Sequence, residues 1–226
     1  MGLRNIQPTP NRPCRVLIVD DHPIVRRGLG QLIERETDMD LVAEAASPDA
    51  ALDGVEEHKP DVVVADLAFE GLDGIELIKD LKARYPQVAV LVLSMHDESF
   101  YAQRVLKAGA MGYLMKQEGV EQVITGIRSV YQGRVFLSNR MSQMLLSKMT
   151  GGPSRAPGFG VESLTDRELE VLRLIGQGRS TRQIAEQLHL SIKTIETHRE
   201  NIKQKLQLEN ASQLVQYAVR FALEPS

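Results

Sequence analysis

The chain has 226 residues, of which 42% are hydrophobic and 25% are charged, and this globular composition at this length favours two small domains. No stretch reaches the roughly 18 uncharged apolar residues of a membrane span. Residues 1–13 lack the apolar segment of a secretory signal peptide. Cys14 is the single cysteine, which excludes an intramolecular disulfide. We therefore expect a cytoplasmic protein with no membrane partner.

The formal net charge of −3 argues against nucleic-acid binding when the chain is taken whole, but the charge is unevenly distributed. Residues 1–150 carry 17 Lys and Arg against 21 Asp and Glu, a balance of −4. Residues 151–226 carry 10 against 9, a balance of +1. The two segments are therefore interpreted separately.

Five short apolar runs alternate with amphipathic stretches in the first segment. The runs are Val16–Val19, Leu41–Ala46, Val62–Ala65, Val88–Leu93 and Met111–Met115. They are rich in Val and Leu with little polar alternation, which is typical of strands buried on both faces of a parallel sheet. Helical periodicity predicts helices over 23–36, 48–58, 74–84, 98–108 and 119–131. The pattern predicts an α/β, doubly wound, five-stranded parallel sheet, for which we expect the strand order 2-1-3-4-5.

The second segment is predicted to be helical after a linker. A helix over 137–149 is indicated by four apolar residues at helical spacing, Met141, Met144, Leu145 and Met149. Residues 151–160 contain four Gly and two Pro, which is typical of a flexible connection. Four further helices are predicted over 165–176, 180–188, 191–206 and 211–222, the first starting with a Thr165–Glu168 capping box and the last capped by Asn210. They form a small all-α domain.

Polar residues follow four of the five predicted strands at the point where each strand ends. They are Asp20, Asp21, Asp66, Ser94 and Lys116. In the expected order these four strands are adjacent, and their carboxyl ends form the crevice in which α/β sheets bind ligands. Converging carboxylates require a cation, and oxygen ligands suit Mg²⁺. Asp66 is the expected nucleophile for phosphoryl transfer, with Ser94 and Lys116 placed to contact phosphoryl oxygens.

Each of these residues also has an ordinary structural interpretation when it is considered alone. Asp20 and Asp21 can cap the helix that starts at Pro23, Asp66 and Ser94 can be strand-end residues, and Lys116 can be a solvated lysine. Their joint placement at four adjacent strand ends favours the site.

The segments around these residues resemble the receiver domain of two-component response regulators, over roughly residues 14–132. They read VLIVDDHPIVRRGL, VVVADLAFEGLDGIELI, VLVLSMHDE and KAGAMGYLMK. The resemblance implies a flavodoxin-like domain in which a sensor histidine kinase phosphorylates Asp66. It implies four Mg²⁺ ligands, which are Asp20, Asp21, Asp66 and the Ala68 carbonyl. It also implies that Ser94 and Lys116 contact the phosphoryl group and that Tyr113 is the aromatic switch.

One departure from the family pattern lies close to the expected phosphorylation site. Family members usually carry Met-Pro three and four residues after the phosphorylated Asp, where this chain has Phe69-Glu70. The departure affects the geometry of the loop and the lifetime of the phosphoryl group, but it removes no phosphate or metal ligand.

The helix predicted over 191–206 has an apolar stripe and a polar face. Ile192, Ile195, Ile202 and Leu206 are expected to face inward, and Ser191 is expected to cap the helix. With the preceding helix it forms a helix-turn-helix unit whose polar face fits a major groove. Residues 179–206 have a net charge of only +3, so on charge alone a solvated face is the simpler interpretation.

One segment of the second half closely resembles the LuxR-type DNA-binding domain: LTDRELEVLRLIGQGRSTRQIAEQLHLSIKTIETHRENIKQKLQL. Together with the receiver-like segments, it makes the whole chain resemble the NarL/FixJ class of response regulators. The resemblance implies phosphate or base contacts from Lys193, Thr194, His198, Arg199, Lys203 and Lys205. Residues that face the groove and can read base edges are Glu196, Thr197 and Glu200. The last helix has an apolar stripe, which makes either a dimer contact or part of the domain core: Leu214, Val215, Ala218 and Val219.

The expected domains are a receiver over 14–133, a linker over 134–162 and a DNA-binding domain over 163–226. The predicted function is that of a transcriptional response regulator with a sensor kinase as its phosphoryl donor. When phosphorylated, it is expected to bind double-stranded DNA at an inverted repeat as a homodimer. We expect no enzymatic activity beyond phosphoryl transfer at Asp66. Two alternatives remain. One is a regulator of this architecture that acts without phosphorylation. The other is a Mg²⁺-dependent phosphohydrolase of the haloacid-dehalogenase type, which needs a second Asp where this chain has Ala68.

Overall fold

The computed structural model describes residues 12–69, 72–95, 98–149 and 161–223, and the chain divides into two compact units, residues 1–145 and 146–226. The first unit is an α/β fold and the second is helical. Within the described part of the chain, none of the helices combines the length and apolar character that crossing a bilayer requires.

The first unit is built on a five-stranded parallel sheet. Its strands are β1 (Cys14–Val19), β2 (Met39–Ala45), β3 (Val62–Ala65), β6 (Ala89–Ser94) and β7 (Gly112–Met115). The order is β2-β1-β3-β6-β7, with every pair parallel, which confirms the expected doubly wound sheet and its strand order. The predicted strand boundaries differ from these by at most two residues.

Six helices accompany the sheet. They are α1 (Pro23–Ile33), α2 (Pro48–His58), α3 (Gly74–Arg84), α4 (Glu98–Ala108), α5 (Val120–Tyr131) and α6 (Asn139–Met149). Successive strand residues point to opposite faces, so Leu17 and Val63 enter the core under α2, α3 and α4. Val16 and Val64 enter the second core, under α1 and α5. Both faces of the strands are covered, which explains why the sequence shows unbroken apolar runs.

A short antiparallel pair of strands is not predicted by the sequence pattern. It consists of β4 (Ala68–Phe69) and β5 (Leu72–Asp73), immediately after the end of β3. Phe69 is buried in the core beside α3, and Glu70 lies outside the described residues. Two-residue strands carry no detectable periodicity, so sequence patterning gives no signal for them.

Part of the predicted linker packs on the first unit. Phe136 bridges to Gly112 in parallel fashion beside β7, and Met141 of α6 is fully buried in the core beside α4. Ser138 Oγ accepts a hydrogen bond from the Met141 amide at 3.0 Å and donates one to the buried Glu98 carboxylate at the start of α4. These contacts connect α4 to the start of α6.

The second unit consists of a short 3₁₀ turn and four helices. The helices are α7 (Asp166–Gly176), α8 (Thr181–Gln187), α9 (Ile192–Leu206) and α10 (Ala211–Leu223). The Thr165–Glu168 capping box is present, Ser191 Oγ accepts from the Thr194 amide, and Asn210 Oδ1 accepts from the Gln213 amide, as expected. The four-helix prediction is confirmed.

Burial distinguishes the members of the apolar stripes predicted on two of these helices. Ile192 was expected to face inward, but it is 49% exposed because it is the first residue of α9, where no other described helix covers it. Leu214 and Ala218 were candidates for the dimer contact, but both are fully buried in the chain's own helical core. Gly176 permits this packing, since a Cβ atom there would lie 2.3 Å from the Ala218 carbonyl oxygen.

A buried carboxylate connects α7 to α9. Glu168 Oε2 accepts hydrogen bonds from the Thr165 amide at 2.7 Å and from Lys205 Nζ at 2.6 Å. Burial raises the pKa of Glu168, but the hydrogen bonds from Lys205 and Thr165 outweigh this effect and hold the pKa below its ordinary value. Glu168 therefore stabilises the helical unit in its charged form.

Replacing Glu168 with Ala is expected to lower the free energy of unfolding of the helical unit by about 2 kcal/mol, because the Thr165 amide and the Lys205 ammonium both lose their acceptor. The lowered pKa means that the stabilisation is present above the ordinary glutamate pKa and disappears as the pH falls through the folded-state value. Urea denaturation of the full chain, followed in α7 and α9 by pulsed hydrogen exchange at several pH values, measures the effect.

The matched control is Glu186→Ala. Glu186 forms an exposed ion pair with Arg182 on one face of α8, and such pairs contribute little. Equal destabilisation by the two substitutions would contradict the assigned role of Glu168.

Candidate functional site

The five residues at the strand ends lie at the same edge of the sheet. Asp20 follows β1, Asp66 follows β3, Ser94 ends β6 and Lys116 follows β7. Asp20, Asp66 and Ser94 are buried, and the Lys116 ammonium group contacts the two aspartates. The strand order makes these four positions neighbours, as the sequence predicted.

Lys116 bridges the two buried carboxylates. Its Nζ donates to Asp20 Oδ2 and to Asp66 Oδ2, each at 2.6 Å. Burial lowers the pKa of Lys116, but the hydrogen bonds and charges of Asp20 and Asp66 outweigh it and raise the pKa above its ordinary value. The ammonium group therefore stays charged and offsets the repulsion between the carboxylates.

Backbone groups hold the other oxygens of these carboxylates. Asp66 Oδ1 accepts from the Leu67 amide at 2.7 Å, and Asp20 Oδ1 accepts from the His22 amide at 2.8 Å. Arg26 of α1 donates to the Asp20 carbonyl at 2.6 Å and lies 3.4 Å from Glu44 of β2. The orientation of both side chains is thus set before any ligand binds.

The donor set fits a divalent cation. One ligand atom from each of Asp20, Asp21, His22 and Asp66 lies within 4.8 Å of the others. Asp21 is partly exposed, which leaves the site open to water on one side. Three carboxylates suit Mg²⁺, which retains several water ligands when proteins bind it. Ala68, the predicted carbonyl ligand, is the first residue of β4.

The predicted switch residue, Tyr113, lies inside the first unit. It is fully buried in the core that α3 and α4 cover, and its strand neighbour Val92 lies two residues before Ser94. The Lys116 amide donates to the Ser94 carbonyl at 2.8 Å. Ser94, Tyr113 and Lys116 therefore belong to two adjacent strands whose ends are hydrogen-bonded.

In the second unit, α9 presents a polar stripe that no other described helix covers. Lys193, Glu196, Thr197 and Glu200 are all exposed and recur at helical spacing. Gln204 continues the same stripe and is exposed, although it is not among the residues predicted from the sequence. Its position four residues after Glu200 was the available signal. The turn before α9 is closed by the Leu190 amide, which donates to the Ala185 carbonyl at 2.9 Å.

Other predicted DNA contacts are less accessible. Thr194, His198, Arg199, Lys203 and Lys205 are only partly exposed. Lys203 pairs with Glu200 at 2.7 Å and Lys205 pairs with Glu168 at 2.6 Å. Burial lowers the pKa of His198, and the nearby charges of Glu168, Arg167 and Lys205 act on it in opposing directions. Burial therefore favours the neutral form of the His198 side chain.

Two residues of the predicted dimer stripe remain accessible on α10. Val215 is 41% exposed and Val219 is 37% exposed. They lie four residues apart, on one face of the helix.

Comparison with known proteins identifies both units. Residues 16–128 match the model for the response regulator receiver domain. Residues 162–218 match the model for bacterial regulatory proteins of the luxR family.

Similar proteins match over nearly the whole chain. The "Oxygen regulatory protein NreC" of Staphylococcus carnosus (strain TM300) is 35% identical over 210 residues, covering 91% of this chain and 97% of that protein. RcsB from Salmonella enterica serovar Typhimurium, solved bound to promoter P1flhDC with phosphomimetic BeF₃⁻, is 28% identical over 92% of this chain and 98% of that chain, with a TM-score of 0.67. A structure of two RcsB dimers bound to two parallel DNAs is 27% identical over 94% of this chain and 100% of that chain, with a TM-score of 0.56.

Replacing Lys116 with Met keeps most of the length of the side chain and removes its charge. Without the ammonium group Asp20 and Asp66 repel each other, so the free energy of unfolding without divalent cations is expected to fall by roughly 3 kcal/mol. Mg²⁺ is expected to raise the melting temperature more than it does in the wild type, because no lysine competes for the carboxylates.

Thermal unfolding with and without Mg²⁺ measures both effects. The control is Lys107→Met, at an exposed position of α4. If Mg²⁺ shifts the melting temperature of the Lys116 variant no more than that of the control, Lys116 does not compete with the cation.

Proposed function

Because this chain belongs to the response regulators that join a receiver domain to a LuxR-type helix-turn-helix domain, we propose that phosphorylation of Asp66 controls its binding to promoter DNA. The chain is a transcriptional regulator by this membership. The observation that carries the phosphorylation step is the buried Asp66 carboxylate, with Lys116 2.6 Å away and Ser94 at the end of the next strand.

The proposed reaction is attack of an Asp66 carboxylate oxygen on the phosphorus of a sensor kinase's phosphohistidine. The new O–P bond forms as the N–P bond breaks, and the kinase histidine leaves with the bonding pair. Lys116 is placed to donate to the transferred group, since its Nζ already contacts the Asp66 oxygen. Asp20, Asp21, Asp66 and the Ala68 carbonyl would hold Mg²⁺, which would supply positive charge to offset the negative charge of the phosphoryl oxygens.

Within the first unit, the order of the elements and a hydrogen bond between α4 and Ser138 support transmission from this site. Ser94 ends β6, and α4 begins four residues later with Glu98, which accepts a hydrogen bond from Ser138 at the start of α6. Tyr113 lies on the neighbouring strand. A shift of Ser94 toward the phosphoryl group would act on α4, Tyr113 and α6. A coupling free energy of about 1–3 kcal/mol between phosphorylation and DNA binding corresponds to a change in affinity of about 5- to 150-fold.

The proposed DNA-binding surface is the exposed stripe of α9. Lys193 supplies a cation for a phosphate, and the carboxylates of Glu196 and Glu200 can accept from cytosine N4 in the major groove. The exposed stripe has one lysine and two glutamates, a balance of −1, so its charge alone does not attract DNA. Two copies on an inverted repeat would double the contacts, and Val215 and Val219 are exposed apolar side chains through which α10 could pair with α10 of the second copy. The RcsB dimers on DNA support this arrangement.

The proposed domain limits are a receiver over 14–133, a linker over 134–162 and a DNA-binding domain over 163–226. The burial of Met141 indicates that the start of this linker packs on the receiver. The competing interpretation, a regulator that acts without phosphorylation, draws support from Phe69, which is buried where the family usually has Met.

Acetyl phosphate with Mg²⁺ is expected to produce one phosphoryl adduct on Asp66, detected by mass spectrometry of the intact chain and its peptides. Asp66→Asn is expected to abolish the adduct and the effect of acetyl phosphate on DNA binding. The control, Asp53→Asn, changes an exposed aspartate of α2 and is expected to retain both. A wild-type protein without an Asp66 adduct would favour the interpretation without phosphorylation.

Two lysines of α9 that the sequence did not distinguish are expected to respond differently to replacement by Met. Lys193→Met is expected to reduce the slope of log binding constant against log salt concentration by about 0.9 for each ion pair with a DNA phosphate that it removes. The stability of the helical unit is expected to stay unchanged. Lys205→Met is expected to destabilise the helical unit, because the buried Glu168 carboxylate loses its partner. DNA titrations at several salt concentrations and urea denaturation separate the two effects, and identical behaviour would contradict the assignment.

A further inference from the structure

One large apolar side chain of α9 lies at the surface among polar residues. Ile192 is the first residue of the helix and is 49% exposed. Two other isoleucines of the same helix, Ile195 and Ile202, are fully buried in the helical unit. A single exposed apolar side chain is ordinary at a protein surface, so its position on the helix decides what it can contact.

Ile192 lies at the edge of the exposed polar stripe of α9. Lys193, the first member of the stripe, follows it directly, and Glu196 lies four residues further on, about 40° away around the helix axis. Two partly exposed cationic residues, Arg199 and Lys203, recur within about 20° of the direction of Ile192. Ile192 therefore extends the proposed DNA-binding surface into the first turn of the helix.

The first turn of α9 holds Ile192 in a defined position. Ser191 Oγ accepts a hydrogen bond from the Thr194 amide at 3.0 Å and lies 2.8 Å from Thr194 Oγ1. Isoleucine is branched at Cβ, so one χ1 rotamer dominates when it stands in a helix. The Ile192 side chain thus presents a rigid apolar surface that loses little conformational entropy when it makes a contact.

We infer that Ile192 contacts the C5-methyl group of a thymine in the major groove and so selects an A·T pair at one position of each half-site. In helix-turn-helix proteins, the N-terminal residues of the second helix contact base edges there. The thymine methyl group is the apolar feature of those edges, and apolar side chains recognise it. The inference rests on the proposed function, since it requires α9 to be the helix that enters the groove.

The helix geometry places this thymine relative to the other base contacts. Ile192 and Glu196 are four residues apart, which is about 6 Å along the helix axis. Successive base pairs are about 3.4 Å apart, so the thymine is expected about two base pairs from a base pair that Glu196 reads. A contact between an isoleucine and a methyl group involves no charge. It therefore adds nothing to the salt dependence of binding, in contrast to Lys193.

The test uses the full-length chain and a site selected from random duplex DNA, with and without acetyl phosphate. Each thymine of that site is replaced in turn by deoxyuridine, which keeps the base pairing and removes the C5-methyl group. One replacement is expected to weaken wild-type binding by about fourfold, the effect of removing one methyl group from an apolar contact. In Ile192→Ser the same replacement is expected to leave the affinity unchanged. Ile192→Val, which keeps the branched Cβ, is expected to retain most of the discrimination.

The matched control is Val135→Ser, which changes another exposed residue branched at Cβ, in the first unit. It is expected to retain the fourfold discrimination. Equal losses on deoxyuridine replacement in the wild type and in Ile192→Ser would overturn the inference, as would a wild type that no single replacement weakens. Weaker binding by Ile192→Ser with the discrimination intact would also overturn it, by assigning Ile192 to another contact.

Failure of the proposed function has separate signatures. They are the absence of an Asp66 adduct with acetyl phosphate and Mg²⁺, and a salt dependence of DNA binding that Lys193→Met does not change. The deoxyuridine comparison measures neither of them, because it follows one uncharged contact on DNA of otherwise identical sequence.

Discussion

The ammonium group of Lys116 between two buried carboxylates is the interaction on which the first unit depends. Asp20 and Asp66 stand at the ends of adjacent strands, and a positive charge between them offsets a repulsion that burial would otherwise strengthen. Lys116 reaches both from β7, two strands away from β3. The same edge of the sheet carries the Asp66 carboxylate, the Lys116 ammonium group and, at the end of β6, Ser94, which are the groups that the proposed phosphoryl transfer uses.

The helical unit uses a similar solution for a different purpose. A buried Glu168 completes the capping box of α7 and accepts from Lys205 of α9, so one carboxylate connects two helices. Lys205 is thereby drawn toward the core, and the polar stripe left on the surface begins at Lys193. The charge that remains available to DNA is small, which makes pairing of two copies a natural requirement for tight binding.

Much of the architecture follows from local patterns. The strand order, the four C-terminal helices and the capping residues Thr165, Ser191 and Asn210 were all predicted, because buried parallel strands and helix caps leave strong short-range signals. The β4–β5 pair left none, since two-residue strands have no period. Ile192 was assigned to the wrong environment because periodicity places a residue on a face but does not show whether a neighbouring helix covers it.

The sequence by itself determined the fold class, the family and the set of polar residues at the strand ends, because each depends on residue types at fixed spacing. Only the tertiary structure decided which of the predicted DNA-contact residues and dimer-contact residues remain exposed at the surface. Lys193 is exposed whereas Lys205 pairs with Glu168, and Val215 is exposed whereas Leu214 is buried. At the acidic site, the His22 side chain lies against Asp21. These outcomes depend on contacts between segments distant in the chain, or on the exact direction of a side chain, and neither is encoded in a local pattern.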